Sequence, residues 1–248
     1  MSLAWWNGRL VPGDEVRIDP GFLRGDGLFE TLRVDQGRAR DVEAHLDRLL
    51  AGLSRIGISL SEDLASAVAT VARTAPHPIA RMRITVTAET RLITVSPYQP
   101  PSGKVSAILL LDPWIHSRSP LAGLKTLSYQ ANRLALKRAE AEGAFEALLL
   151  NERGRLVEGS RSNVIVSLPD GLFTPPAEDG CLPGTVRRRL LERGVIAERS
   201  LAPEDLHAAG EVLLTNSLIG VLAVGRLDGR EIRVGSTAER LRGLLGSE

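Results

Sequence analysis

Over the first forty residues the apolar side chains follow a period of two, interrupted by turn residues. The stretch AWWNGRLV predicts a hairpin with Asn7-Gly8 at its tip, a pair that accepts the positive φ of a tight turn. A strand over LFETLRV and a second hairpin from Asp35 to Gly37 follow. The period then changes: Val42, His45, Leu46, Leu49, Leu50 and Leu53 recur at helical spacing as far as Gly57. A second helix is expected over SEDLASAVATVARTA, opened by Ser61 and the acids after it and closed by PHP. IARMRITVTAETRLITVSPYQ reads as a strand, a turn near Glu89 and Thr90, and a strand. Two helices on an antiparallel sheet make this half α+β.

Residues 113 to 123, PWIHSRSPLAG, are rich in Pro, Gly and Ser and predict an ordered linker. Beyond it NRLALKRAEAEGA predicts a helix ending at Gly143. The short strands EALLLN, LVEGS, NVIVSL and LFTPP come next, then a helix TVRRRLLERG directly after LPG. Strands over EVLLTNS and VLAVGRLDG and a helix over STAERLRGLLG complete the pattern, with no internal repeat. The expected organisation is two α+β domains, residues 1–112 and 122–248, joined by a linker at 113–121.

Composition narrows the functional classes. The 248 residues are 43% hydrophobic and 25% charged, as in an ordinary globular protein, and a net charge of +1 predicts no nucleic-acid partner. The lone Cys181 forms no internal disulfide and, alone, no metal constellation, so a reducing, cytoplasmic setting and no metal site are expected. MSLAWWNGRLVPGDEV turns polar after a short apolar start, and no later stretch is long enough to span a bilayer; neither export nor a membrane location is expected. Lysine is scarce: among 31 basic residues it occurs only at Lys104, Lys125 and Lys137. Where chemistry needs a primary amine that condenses with an aldehyde, arginine cannot substitute.

Lys125, in AGLKTLSYQAN, stands just after the linker and before a helix, where its amine suits an aldehyde cofactor. Pyridoxal phosphate needs such an amine, a counter-charge at its ring nitrogen and donors around its phosphate. Glu158 ends the apolar strand of LVEGSRSNV and precedes small residues that admit a ligand. In CLPGTVRRRLL the amides of Gly184, Thr185 and Val186 open a helix, where an anion is favoured. Arg48 of HLDRL adds a fork of donors and Ser217 of TNS a hydroxyl. Each has an ordinary alternative as well: a solvated lysine, a turn acid, routine helix capping, an arginine lying along its helix.

The order of these features, from LKTLSYQANRLALKRAEAEG through EALLLNERGRLVEGSRSNV and LFTPP to LPGTVRRRLL and LLTNSLIGVLAV, resembles the class IV, fold-type IV pyridoxal-phosphate enzymes. These include branched-chain and D-amino-acid aminotransferases and aminodeoxychorismate lyases. GFLRGDGLFETLRV and EAHLDRL resemble the family's N-terminal half in the same order. The resemblance implies a small N-terminal α/β sandwich and a larger, β-barrel-like C-terminal domain with helices. It implies Lys125 as the Schiff-base lysine, Glu158 as the ring-nitrogen partner, and phosphate contacts from Arg48, Gly184, Thr185, Val186 and Ser217. Tyr129 falls near the phenolic oxygen, and Asn163 supports the loop holding Glu158. A small-molecule amine substrate and a homodimer are implied too.

The family's members share proton removal next to the bound amine and diverge afterwards. GFLRGDGLFETLRV and Asn216 of TNS look like the lyase branch, which makes 4-aminobenzoate and pyruvate; a D-amino-acid or branched-chain aminotransferase is the alternative. A longer Gly- and Arg-containing loop common after the RMRITVTAET strand is missing here. Arg24, Arg83, Arg91 and Arg161 therefore become candidates for holding substrate carboxylates. A non-catalytic scaffold is the reading from another class, against which the retention of Lys125, Glu158 and Arg48 together stands.

Overall fold

Alternation in the first hundred residues builds one antiparallel sheet, seen in a computed structural model that describes residues 3–13, 16–17, 19–60 and 63–246. Its strands are β1 (Leu3–Trp6), β2 (Arg9–Pro12), β3 (Leu28–Asp35), β4 (Arg38–Ala39), β5 (Ile79–Val86) and β6 (Arg91–Pro97), in the order β2-β1-β6-β5-β3-β4. The turn between β1 and β2 takes positive φ at Asn7 and Gly8, and that between β3 and β4 at Gln36 and Gly37, as the hairpin sequences predict. A short helix, α1 (Pro20–Arg24), precedes β3. The helices α2 (Val42–Arg55) and α3 (Leu64–Arg73) cover one face.

Period two decides which residues meet those helices. Leu28, Leu32 and Val34 of β3 join Met82, Ile84 and Val86 of β5 in a core with Leu49, Leu53, Val68 and Val71. The alternate residues Phe29, Thr31, Arg83 and Thr85 are cross-strand neighbours on the opposite face. Two details differ from the sequence reading. Leu50, expected on the buried stripe of α2, is 47% exposed, and the stripe is His45, Leu49, Gly52 and Leu53. Ser61 lies outside the described residues; α3 is capped instead by Asp63, whose carboxylate accepts from the Ser66 amide at 3.1 Å.

The second sheet contains β7 (Val105–Ile115), β8 (Glu146–Asn151), β9 (Leu156–Gly159), β10 (Asn163–Leu168), β11 (Gly171–Thr174), β12 (Ala197–Glu198), β13 (Glu211–Asn216), β14 (Gly220–Leu227) and β15 (Arg230–Glu231). Its order is β12-β11-β10-β13-β14-β7-β8-β9, with β15 on β14, and the sheet curls as a barrel-like domain should. Helix α4 (Gln130–Ala141) buries Ala135 and Ala139 against Ile108, Leu110 and Leu149. Helices α5 (Thr185–Glu192) and α7 (Thr237–Leu245) cover Ile165, Leu213 and Val221; α6 (Pro203–His207) adds Leu206 beside Val164, Val166, Val212 and Leu214. Neighbouring residues of β10 and β13 are thus buried on both faces, which is why NVIVSL and EVLLTN read as nearly continuous apolar runs.

Two compact units result, residues 1–100 with 124–129, and residues 101–123 with 130–248. This division differs from the expected one at 112 and 122. The run VSAILLLD is not the end of the first domain but the start of β7, which pairs in parallel with β8 and β14. Nor is Pro113 in a linker: β7 continues to Ile115 across register shifts on either side of that proline, a bulged geometry that tolerates its missing N–H.

Candidate active site

Within the first unit, Lys125 is held by backbone pairing. The Phe29 amide donates to the Lys125 carbonyl at 2.9 Å, the Leu127 amide to the Gly27 carbonyl at 2.9 Å, and Leu28 bridges Thr126. The residues around Gly27 and Gly52 are pressed closely together: a Cβ at Gly27 would come within 2.3 Å of the Val86 carbonyl oxygen, and one at Gly52 within 2.6 Å of Leu28. Lysine 125 therefore extends from a fixed segment.

Its Nζ lies 4.4 Å from the Phe29 ring centre and 5.4 Å from that of Tyr129. Those two rings meet edge to face, 5.3 Å apart at 89°. The Arg83 guanidinium stacks 3.7 Å from the Phe29 ring and its Nε donates to the Thr85 hydroxyl at 3.2 Å. Burial, and then the neighbouring charge of Arg81, lower the pKa of Arg83 from its usual value, with Tyr129 opposing. The guanidinium remains charged at neutral pH, and its partial desolvation strengthens attraction for a carboxylate. Of the four substrate-binding candidates, Arg83 joins the Lys125 cluster within the first unit. Arg24 is exposed, Arg91 donates to the Ala88 and Ser59 carbonyls, and Arg161 donates to the Phe145 carbonyl.

Arg48 is fixed from its own unit. Its Nε and Nη2 donate to the two oxygens of Glu30 at 2.8 and 2.6 Å, a bidentate pair. His45 Nδ1 lies 2.7 Å from Glu30 Oε2. Burial opposes ionisation of Glu30, but the hydrogen bonds and charges of His45 and Arg48 outweigh it and draw its pKa down to about 2. Glu30 is not among the candidates read from the sequence, and His45 enters there only as a position on the helical stripe. The signal was available: period two puts Glu30 on the Leu28, Leu32 and Val34 face, where a carboxylate requires partners.

The second unit assembles the other candidates. Glu158 Oε2 accepts from Asn163 Nδ2 at 3.2 Å and from the Leu182 amide at 3.0 Å, and Asn163 Nδ2 also donates to the Leu182 carbonyl at 2.8 Å. The end of β9, the start of β10 and the approach to α5 are thereby locked together. At Gly184 the contact is so close that a Cβ would lie 2.0 Å from Asn163 Oδ1. Gly184 is the N-cap of α5 and supplies no side-chain cap, while Thr185 and Val186 form a buried first turn. Ser217 follows β13 and is half-buried, and the Asn216 amide group donates to the Arg161 carbonyl at 3.0 Å. Thr215 Oγ1, one strand position inward, is buried with no partner among the described residues. No group of three or more His, Cys, Asp or Glu among the described residues can hold a metal, and no helix there is long and apolar enough to cross a membrane.

These donor sets fit pyridoxal phosphate chemically. One unit offers a primary amine beside aromatic rings and a fixed arginine; the other offers a fixed carboxylate, helix-terminal amides without a side-chain cap, and an orphaned hydroxyl. The structure brings Lys125 close to Tyr129, and Glu158 to Asn163 and the 182–184 backbone.

Known proteins resemble this chain in sequence and in fold. The amino-transferase class IV family model matches residues 27–227. The bifunctional aminodeoxychorismate lyase / D-amino acid transaminase of Mycobacterium tuberculosis is 33% identical, over 86% of this chain and 86% of its own. A hypothetical aminotransferase from the same organism, solved in a pyridoxal-phosphate-bound form, superimposes with a TM-score of 0.87 at 28% identity, covering 98% of this chain and 97% of its own. The 4-amino-4-deoxychorismate lyase of Pseudomonas aeruginosa gives a TM-score of 0.83 at 31% identity, covering 98% of each chain. The chain belongs to the class IV aminotransferase family of pyridoxal-phosphate enzymes.

Proposed function

We propose that this enzyme converts 4-amino-4-deoxychorismate to 4-aminobenzoate and pyruvate, with Lys125 as its reactive amine. The observation that carries the site assignment is the anchoring of the Lys125 segment to residues 27–29, which sets Nζ beside Phe29, Tyr129 and Arg83. When bound, pyridoxal phosphate supplies an aldehyde that condenses with amines and a pyridinium that withdraws electrons from the carbon losing a proton.

The chain's own residues do the rest. The Lys125 amine, once displaced by substrate, takes the proton at Nζ and returns it. Glu158, immobilised by Asn163 and Leu182, keeps the ring nitrogen protonated. Arg48, Ser217 and the Gly184, Thr185 and Val186 amides hold the phosphate, and Tyr129 orients the phenolic side. Arg83 holds a substrate carboxylate, in place of the arginine loop missing after β5. A homodimer is part of this proposal, and light scattering giving a single-chain mass would count against it.

The lyase reading draws support from the two lyase relatives and from Asn216 in TNS. The transaminase named in the bifunctional relative and the aminotransferase neighbour support the second reading, transfer of an amino group from D- or branched-chain amino acids. The enzyme should be incubated with aminodeoxychorismate and assayed for fluorescent 4-aminobenzoate. Separately, it should be given D-alanine or leucine with 2-oxoglutarate and assayed for glutamate. Glutamate without 4-aminobenzoate would replace the lyase reading by the second. Lys125→Ala is expected to lose borohydride-sensitive visible absorbance and about 10²- to 10⁴-fold or more of either activity. Retention of both would remove Lys125 from the mechanism.

A further inference from the structure

Glu146 opens β8 and is completely buried, yet the reaction as described gives it no part. Its Oε1 accepts from the Ser160 amide at 3.0 Å, the Ser160 hydroxyl at 2.5 Å and the Ala147 amide at 3.1 Å. Its Oε2 accepts from the Ser162 hydroxyl at 2.8 Å, and Arg161 Nε lies 3.8 Å away. Apart from Ala147, every one of these groups belongs to the connection between β9 and β10.

Glu158, near the end of β9, and Asn163, the first residue of β10, flank that connection. It is folded onto the Glu146 carboxylate so closely that a Cβ at Gly159 would lie 2.4 Å from Ser162 Oγ and 2.9 Å from Glu146 Cδ. The Gly159 amide closes the turn on the Ser162 carbonyl at 2.6 Å. Outward ties run from the same turn: Asn132 donates to the Ser160 carbonyl at 3.0 Å, and Asn216, next to Ser217, to the Arg161 carbonyl at 3.0 Å. A carboxylate at this depth is costly, and an apolar side chain would serve packing alone better. What an apolar side chain lacks is the ability to hold three successive residues of a turn.

We propose that Glu146 is a positioning residue: by fixing the 159–162 turn it sets the carboxylate of Glu158 and the backbone beside Ser217. The inference rests on the reading above in which Glu158 meets the cofactor ring. Its consequence is that replacing the Glu146 carboxyl by an amide of the same size, which cannot accept at both positions, alters cofactor binding in the same way as altering Glu158 itself.

The test titrates apo-protein with pyridoxal phosphate for the wild type, Glu146→Gln, Glu158→Gln and the double variant, following the visible band and its position, with melting curves alongside. Glu146→Gln is expected to weaken binding about tenfold and to move the band in the direction seen for Glu158→Gln. The double variant should be little worse than Glu158→Gln alone. A lower melting temperature with wild-type affinity and band overturns the proposal, as do additive losses in the double variant. Should Glu146→Gln fail to fold, Ser162→Ala removes one donor without a charge, and wild-type affinity and band in that variant overturn the proposal equally. A wild-type result for Glu158→Gln would instead sink the underlying reading of the ring acid, and this inference with it.

Discussion

At Glu30 a carboxylate occupies a register position that period two reserves for the core, and the surrounding residues are arranged to keep it ionised. Its pKa in the folded chain, about 2, lies below the ordinary 4.5. The sign follows: ionised Glu30 stabilises the fold above about pH 4.5, and that contribution disappears as pH falls toward 2. Melting temperature should therefore fall more steeply over that range in the wild type than in Glu30→Gln. At neutral pH the variant should be less stable by about 3–5 kcal/mol, because Arg48 loses its charged partner. Gly184→Ala makes a second residue-scale test. Its Cβ would displace Asn163 and disturb both bonds to Glu158 Oε2, so about 1–3 kcal/mol of stability and measurable cofactor affinity should be lost in melting and titration experiments. Residue types were readable here from sequence, since Lys125, Glu158 and Arg48 stand out by chemistry and order. Of their partners only Glu30 left a signal, its phase on the core face of β3; Phe29 and Leu182 meet them only through register and backbone approach.

Helices and strands were legible in proportion to how many periods they contain. Helix α2 and strands β3, β5, β10 and β13 follow their patterns closely. The five-residue α1 is too short to show a period, although Asp19, Pro20 and Gly25 carry its cap, first-turn and terminating signals. Strand β7 was obscured by Pro113, which with the Pro, Gly and Ser after it imitates a chain leaving the domain. The capping of α3 gives an element-scale test. Asp63 caps the Ser66 amide and its pKa is lowered, chiefly by the Ser66 hydroxyl and then the amide. Asp63→Ala should lower the melting temperature while leaving cofactor affinity unchanged.

For the molecule as a whole, the single cysteine offers a clean reporter. Cys181 is fully buried, and burial, followed by the charge of Glu158, pushes its thiol up to about 12. Reaction with a thiol reagent at neutral pH should be slow in the native protein and should track the denaturant midpoint measured by circular dichroism. Rapid labelling under native conditions would mean that the 175–182 stretch opens locally. The α+β class and the order of the longer helices and most strands were legible, whereas β7, the short elements α1, α6, β12 and β15, and the division into units were not. Composition marks where a chain turns, but not to which sheet a strand will add.

The six residues 124–129 belong to the first unit although the chain on both sides of them belongs to the second. Severing the polypeptide after residue 100 would thus leave an N-terminal fragment with Phe29 and Arg83 but without its lysine, and a C-terminal fragment whose lysine has lost residues 27–29. Neither piece expressed alone keeps the Lys125 amine beside Phe29, Tyr129 and Arg83.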